Sequence, residues 1–271
     1  MRILVTNDDG VDAVGLHVLA RRLVELGDIV VAAPDREYSG AGAAVGTLHL
    51  IRPEVRRVAI DGVPEAWSVT GPPALCVMFA RLGVFGGPFD LVVSGINPGA
   101  NTGRAIYHSG TVGAALTARN GNVSGLAVSQ AVQGFGVEGQ GWDEMVADQQ
   151  WETAAEVGAC VARAMLEDQP VDPIVVNVNV PNRPLDKLAG WRRTEVALLP
   201  TRALASAELT PKVGHDGAFD VAMAWGDPIV LPESTDSGAV EAGYVAVSAL
   251  CRITDDMSVE LAGIAAALDA V

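Results

Sequence analysis

The stretch that decides the fold class is Met1-Arg-Ile-Leu-Val-Thr-Asn-Asp-Asp-Gly10, at the start of the sequence. Residues 2–6 are rich in Ile, Leu and Val, which predicts a short buried β-strand. Asp8 and Asp9 follow directly at the end of this strand. Two carboxylates held close together raise each other's pKa unless a cation or a hydrogen-bond donor compensates. A hard divalent cation and a helix N-terminus, where aspartate is favoured, both account for this pattern.

The next segments complete a strand–helix–strand unit. An apolar stripe with spacings of three and four residues predicts a helix that ends at Gly27. The leucines of this stripe are Leu16, Leu19, Leu23 and Leu26. Residues 29–33 are again apolar and predict a second buried strand. A unit of this kind is typical of a parallel sheet with right-handed crossovers.

The same alternation continues to about residue 182. Three more buried strands are predicted at residues 90–94, 126–129 and 173–180. Further helices are predicted at residues 71–82, 109–118 and 151–166. We therefore expect an α/β fold for residues 1–182, with a Rossmann-like, mainly parallel sheet flanked by helices.

The chain changes character after residue 182. Strands with few helices between them are predicted at 191–199, 219–225 and 243–250, and a terminal helix at 258–268. We expect residues 183–271 to form a C-terminal extension of hairpins and a helix that packs on a neighbouring subunit. Within the first part, the polar and Gly-rich residues 131–150 are predicted to form a surface loop.

Composition excludes several classes of protein. The chain has 271 residues with a formal net charge of −15, and its 18 basic residues are scattered, so we expect no nucleic-acid polymer as partner. No run of 18 apolar residues suggests a membrane span, and no leader segment is evident, so a cytoplasmic location is expected. Cys76, Cys160 and Cys251 lie in apolar contexts and are predicted to be buried reduced thiols.

Three predicted strand ends carry polar loops: residues 7–9, residues 35–39, and residues 94–111. Each loop alone is compatible with ordinary turn chemistry. In open α/β sheets, however, ligands bind beyond the carboxyl ends of the strands, where such loops converge. The oxygen donors Asp8, Asp9, Ser39 and Asn97 would then suit one hard divalent cation.

An anion site is predicted beside this cation site. The helix that begins near Thr111 is expected to present free backbone N–H groups, together with the side chains of Asn101 and Ser109. A cation next to an anion site indicates phosphate ester chemistry.

Motifs for competing chemistries are missing from the sequence. It contains no GxxxxGK[ST], no GxSxG and no HExxH, and its glycine-rich loop at residues 40–46 does not match GxGxxG. Of the four histidines, His17 and His49 are predicted to be structural. His108 precedes Ser109 and borders the predicted pocket, and His215 lies in an isolated turn.

Four ordered motifs, at residues 3–10, 33–40, 93–101 and 109–115, closely resemble those of the SurE family of metal-dependent 5′-nucleotidases. The resemblance implies a Rossmann-like core and one divalent cation per subunit, usually Mg²⁺ or Mn²⁺ with Ca²⁺ also accommodated. It implies metal ligation by the residues matching Asp8, Asp9, Ser39 and Asn97. It further implies that Asn101, Ser109 and Thr111 bind or orient phosphate. The C-terminal extension would be exchanged between subunits of a homodimer or homotetramer.

The chain departs from the family pattern in three places. The loop after Ser39 lacks further serines, Leu75 replaces a common aspartate, and Thr117 replaces a frequent acidic residue. None of these positions belongs to the expected metal ligands.

The combined hypothesis is a phosphatase that hydrolyses nucleoside 5′-monophosphates. Asp8 and Asp9 would hold the cation, and one of them, of which Asp9 is named, would accept the proton of the attacking water. The alternative is a nucleotide-binding or sensing module without turnover.

Overall fold

The computed structural model describes residues 1–46, 52–133, 141–254, 256 and 258–269. The predicted position of His49 falls outside these residues. Within them, no helix is both long and apolar enough to cross a membrane. The helices are α1 (Val14–Leu23), α2 (Pro73–Arg81), α3 (Gly110–Asn120), α4 (Trp142–Val146), α5 (Trp151–Glu167), α6 (Asp236–Ala242) and α7 (Ala262–Leu268).

Most of the strands belong to one large sheet. The strands are β1 (Arg2–Thr6), β2 (Asp28–Pro34), β3 (Val55–Val58), β4 (Glu65–Val69), β5 (Leu91–Pro98), β6 (Gly125–Gln130), β7 (Val175–Val180), β8 (Trp191–Arg193), β9 (Leu204–Pro211), β10 (Phe219–Trp225) and β11 (Val245–Leu250). In the described residues the large sheet has the order β3-β4-β2-β1-β5-β6-β7-β11-β8, and β9 pairs with β10 in a separate hairpin. The six strands from β4 to β7 in this order are all parallel, which confirms the predicted fold class.

Strand β1 lies at the centre because it is apolar on both faces. Ile3 and Val5 pack with α1 and α5 on one face of the sheet, whereas Leu4 packs with α2 and α3 on the other. Continuously apolar strands are typical of a parallel sheet covered on both sides. The chain runs from β1 to β2 in one direction and reaches β5 on the other side of β1. This reversal is the topological switch point, where open α/β sheets bind their ligands.

The predicted leucine stripe of α1 is confirmed in its first three members. Leu16, Leu19 and Leu23 are fully buried, whereas Leu26 lies in a 3₁₀ turn after the helix and is partly exposed. The predicted surface loop at residues 131–150 contains the short helix α4 within its described part.

The prediction that all three cysteines are buried is wrong. Cys76 is buried in α2, but Cys160 and Cys251 are exposed. Cys160 belongs to the amphipathic helix α5, whose buried stripe consists of other residues, so an apolar sequence context did not imply a buried side chain.

The large sheet continues past the predicted boundary at residue 182. Strand β11 pairs antiparallel with β7, and β8 pairs parallel with β11. The buried Asp236 of α6 accepts hydrogen bonds from the backbone N–H groups of Gly103 (2.9 Å) and Ala197 (3.0 Å). Two strands of residues 183–271, β8 and β11, therefore lie in the large sheet.

Residues 196–234, which we call the arm, are exposed or partly exposed apart from the buried Ala197. It contains the β9–β10 hairpin, and its two ends meet at a bridge between Glu195 and Thr235. Phe219, Val221 and Met223 alternate along β10 and share one face, and all three are more than half exposed. The arm thus presents an apolar surface to solvent.

Candidate active site

The three predicted polar loops converge at the carboxyl edge of the sheet, next to the switch point. Thr6 at the end of β1 is paired with Ser94 in β5, which brings the loop at residues 7–9 beside the end of β5. The loop after β2 is tied to the loop after β1, because the N–H of Tyr38 donates to the Asp8 carbonyl at 2.7 Å. The predicted convergence is therefore present in the fold.

Asp8 is buried and held by the start of α3. Its carboxylate accepts hydrogen bonds from the Thr111 hydroxyl at 2.5 Å and from the Gly110 N–H at 3.1 Å. Burial raises the pKa of Asp8, and the bonds from Thr111 and Gly110 offset part of that rise. The favourable field at a helix N-terminus acts in the same direction as these bonds.

Gly110 makes this contact possible. A Cβ atom at this position would lie 2.7 Å from the Cβ of Asp8, which is too close for any side chain. The absence of a side chain lets the first turn of α3 approach the carboxylate directly.

The anion site expected at the N-terminus of α3 stays a prediction, and the structure shows which groups there already have partners within the protein. The N–H of Gly110 and the Thr111 hydroxyl bond to Asp8, and the N–H of Val112 bonds to the Ser109 hydroxyl oxygen at 3.1 Å. The helix end already holds an anion, namely Asp8. Thr111 is fully buried, and its hydroxyl donates to the Asp8 carboxylate.

Asp9 lies in a different environment from Asp8. Its side chain is only partly buried, yet Oδ2 is enclosed and has no hydrogen-bond partner among the described residues. Burial, followed by the negative charges of Asp8 and Glu37, raises the pKa of Asp9 to about 8. No ion pair within the described part of the chain neutralises Asp8 or Asp9.

Ser39, in the loop after β2, and Asn97, near the end of β5, each carry a neutral oxygen. The exposed Ser39 hydroxyl donates to Glu37 at 2.8 Å. The Asn97 amide nitrogen donates to the Gly99 carbonyl at 2.6 Å, which leaves its amide oxygen as an acceptor. The β5–β6 register shifts between Gly95 and Asn97, and a Cβ at Gly95 would lie 2.2 Å from the Val128 carbonyl oxygen. The ladder of β5 is therefore irregular directly before Asn97.

The donors present fit a hard divalent cation. The unpartnered Asp9 oxygen and the raised pKa values of both carboxylates mark a place where a positive charge stabilises the protein. No group of three or more His, Cys, Asp or Glu side chains suited to a metal occurs in the described residues. The set is therefore two carboxylates with hydroxyl and amide oxygens, which suits Mg²⁺, Mn²⁺ or Ca²⁺ better than a softer metal.

Asn101 is held by two asparagines of β7. Its backbone N–H donates to Asn179 Oδ1 at 2.7 Å, and its carbonyl accepts from Asn177 Nδ2 at 2.9 Å and Asn179 Nδ2 at 3.2 Å. Its side-chain amide bonds to the Ser129 hydroxyl of β6 at 2.9 Å. This asparagine clamp fixes both the backbone and the side chain of Asn101.

Sequence reasoning missed the clamp and the contribution of Glu37. The signal for the clamp was available, because Asn177 and Asn179 alternate within an otherwise apolar strand and so share one face. Buried amides of this kind require partners, and a polar loop at the strand end provides them. Of the predicted borderline residues, His108 is exposed beside Ser109, whereas the ring Nε2 of His17 bonds to the Val11 carbonyl at 2.8 Å. His215 is exposed in a turn of the arm.

Comparisons with known proteins show which family the chain resembles. The family model described as Survival protein SurE matches residues 3–201. A protein of Mannheimia succiniciproducens named 5′-nucleotidase SurE is 38% identical over 92% of this chain and 91% of its own length. A 5′-nucleotidase SurE of Dehalococcoides mccartyi is 35% identical over 92% of this chain and 88% of its own length.

A solved structure shows the same fold. The crystal structure of the SurE protein from Aquifex aeolicus superposes with a TM-score of 0.77 at 28% sequence identity, and the match covers 99% of this chain and 100% of that chain. The sequence and structure comparisons thus agree over almost the whole length. This chain belongs to the SurE family.

Proposed function

We propose that this protein is a divalent-metal-dependent 5′-nucleotidase that hydrolyses nucleoside 5′-monophosphates to nucleoside and phosphate. The observation that carries the proposal is the pair Asp8 and Asp9 at the switch point of the sheet, one fixed by α3 and the other without a neutralising partner among the described residues. The relatives named 5′-nucleotidase SurE support the same reaction.

The proposed ligands of the cation are Asp8, Asp9, Ser39 and Asn97. A bound Mg²⁺ or Mn²⁺ supplies a Lewis acid that polarises the phosphoryl group and acidifies water. The protein's share is to hold these oxygens in place. Thr111 and the Gly110 N–H fix the rotamer of Asp8. We therefore assign Thr111 a positioning role.

Asn101 and Ser109 are the proposed contacts of the phosphoryl oxygens. The Ser109 oxygen accepts a hydrogen bond from the Val112 N–H, so the hydroxyl hydrogen of Ser109 remains available to a phosphoryl oxygen. The asparagine clamp holds Asn101 before the substrate arrives. Donors fixed in advance stabilise developing charge without reorganisation.

Asp9 is the proposed acceptor of the proton from water. Its raised pKa, about 8, shows that its surroundings favour the protonated form when no positive charge is close. In the proposed reaction, water adds to phosphorus and Asp9 takes one of its protons. The bond between phosphorus and the 5′ oxygen breaks, and Asp9 passes that proton to the departing 5′ oxygen, so that nucleoside and hydrogen phosphate are the products.

We further propose that the protein is a homodimer or homotetramer that assembles through its C-terminal part. The exposed apolar face of β10, together with the exposed Ile264 and Leu268 of α7, is the surface that supports association. Isologous association would cover this surface in every subunit.

The deciding experiment measures phosphate release from AMP and GMP with Mg²⁺ or Mn²⁺ and again with EDTA. We expect release that depends on added metal and is abolished by the chelator. Saturable nucleotide binding with no phosphate release in any metal would instead establish the alternative, a binding or sensing module without turnover.

A further inference from the structure

A small cleft opens beside Asp9, on the side of the site that faces α4 and α5. It has a volume of about 210 Å³. Its walls are formed by the start of α1, the end of β5 and the first residues of α4 and α5. Its lining includes the side chains of Asp9, Val14, Glu37, Ile96, Trp142 and Trp151.

The walls of this cleft are apolar although they border a cluster of carboxylates. Trp142 is 48% exposed and Val14 is 58% exposed, so both leave apolar surface uncovered next to Asp9. Ile96 is fully buried and Trp151 partly buried behind them. Exposed apolar surface at the mouth of a polar site is typical of a position that a ligand covers.

Size and charge limit what the cleft can hold. Pockets for whole drug-sized ligands have volumes of about 300–1,000 Å³, so a cleft of 210 Å³ holds only one part of a nucleotide. Glu37, which is not a proposed ligand of the cation, also lines the cleft, and its negative charge disfavours the phosphate in this part of the site. A flat, uncharged aromatic ring satisfies both limits.

We propose that this cleft is the base subsite, in which the purine or pyrimidine ring of the substrate stacks on the indole of Trp142. The inference rests on the proposed function, because the phosphate must be held at Asp8 and Asp9 for the base to reach the cleft. Base–aromatic stacking tolerates every base, since each has a π-face. The subsite therefore favours nucleotides over other phosphomonoesters without selecting one base strongly.

The kinetic test compares AMP with ribose 5-phosphate, which carries the same phosphate and sugar but no base. We expect wild-type protein to prefer AMP, and Trp142→Ala to raise KM for AMP about tenfold while leaving KM for ribose 5-phosphate unchanged. Trp142→Phe retains a stacking surface and should restore most of the preference. Trp191→Ala is the matched control, because Trp191 is exposed at the far edge of the sheet in β8.

Tyr107 offers a competing position for the base. It is 81% exposed and precedes Ser109 in the chain. If Tyr107→Ala abolishes the preference for AMP and Trp142→Ala does not, the assignment of the cleft is overturned. Equal use of AMP and ribose 5-phosphate by the wild type overturns it as well.

Tryptophan fluorescence separates this inference from the proposed function. We expect AMP with Mg²⁺ to quench the emission of wild-type protein, and the quenching to be lost in Trp142→Ala but kept in Trp191→Ala. Quenching without hydrolysis would contradict the proposed function while supporting the subsite. Hydrolysis with identical quenching in Trp142→Ala and wild type would refute the subsite while supporting the function.

Discussion

The carboxyl edge of the sheet and the arm differ from most folded proteins in opposite ways, the first by burying acidic groups and the second by exposing apolar groups. At the carboxyl edge, Asp8 and Asp9 place two acidic groups in a poorly solvated position. In the arm, Val221 and Met223 place apolar side chains in water. The two carboxylates lower the stability of the folded protein until a positive charge binds beside them. The exposed apolar side chains stay in unfavourable contact with water until another surface covers them. Each departure therefore indicates the chemistry of what binds there.

The comparison also shows how differently the two regions are supported. Asp8 is fixed by hydrogen bonds from α3, and the nearby Asn101 is fixed from β6 and β7. The β9–β10 hairpin is a two-stranded unit outside the large sheet. A catalytic site needs geometry fixed in advance, whereas an association surface acquires its order from the partner.

Removing the fixed carboxylate should have the largest effect. Asp8→Asn is expected to lower kcat for AMP by about 100-fold or more, because it weakens cation binding and replaces one of the two oxygens that accept from Thr111 and Gly110 with an NH2 donor. Thermal stability in EDTA should not fall, since a buried charge is also removed. Phosphate release and circular dichroism melting measure the two effects. Asp12→Asn, at an exposed aspartate four residues along, is the control.

A second change targets the arm alone. Val221→Asp combined with Met223→Asp is expected to shift the protein to a monomer in sedimentation velocity, because two charges enter the apolar face of β10. Ala222→Asp lies on the opposite face of the same strand and should leave association intact. A monomeric wild type, or an unchanged assembly in the double variant, would contradict the proposed role of the arm.

Removing a residue of the asparagine clamp should lower kcat less than removing a metal ligand does. Asn179→Ala is expected to lower kcat about tenfold, because it removes the acceptor of the Asn101 N–H and one of the two amide donors to the Asn101 carbonyl. The double variant with Asn101→Ala should be no slower than Asn101→Ala alone. Asn182→Ala is the control, since Asn182 bonds to Gln150 instead. Additive losses in kcat would show that Asn179 acts independently of Asn101.

The smallest effect expected is on the pH dependence of stability. The pKa of Asp9 is about 8 in the folded protein and near 3.8 in an unfolded chain, so the folded protein binds the proton more tightly. The resulting stabilisation is complete below about pH 4 and is lost as the pH rises through about 8.

In EDTA, the melting temperature should therefore decline by a few degrees over this range, and Asp9→Asn should flatten the decline. Added Mg²⁺ should raise the melting temperature more at pH 8 than at pH 5, because it competes with protons for the carboxylates. An equal rise at both pH values would show that the cation does not bind Asp9.

Much of the fold follows from local patterns. The buried run at Arg2–Thr6 and the leucine stripe of α1 determine their own structures, because periodicity and burial act over a few neighbouring residues. The C-terminal part of the sheet could not be predicted from local patterns, because the paired residues of β11 and β7 lie about seventy positions apart in the sequence. Nothing within β11 indicates which strand it joins.

The candidate site was predictable in composition but not in its hydrogen bonding. The loops that carry Asp8, Asp9, Ser39 and Asn97 were expected together, because parallel strands share one carboxyl edge. The amides at the start of α3 were assigned to phosphate, but the structure gives the first of them to Asp8. That assignment depends on the close approach at Gly110, a distance in space that no spacing in the sequence reveals.

The two ends of the arm lie side by side, and this affects how proteins with such an arm can diverge in evolution. Glu195 and Thr235 are bridged, and the Glu195 N–H donates to the Ser234 carbonyl at 2.9 Å, so the ends of the arm lie side by side. An insertion whose ends meet can lengthen, shorten or be exchanged without altering the path of the chain that carries it. If the proposed assembly through the arm is correct, the quaternary structure can change in evolution with the arm while the residues at the strand ends stay the same.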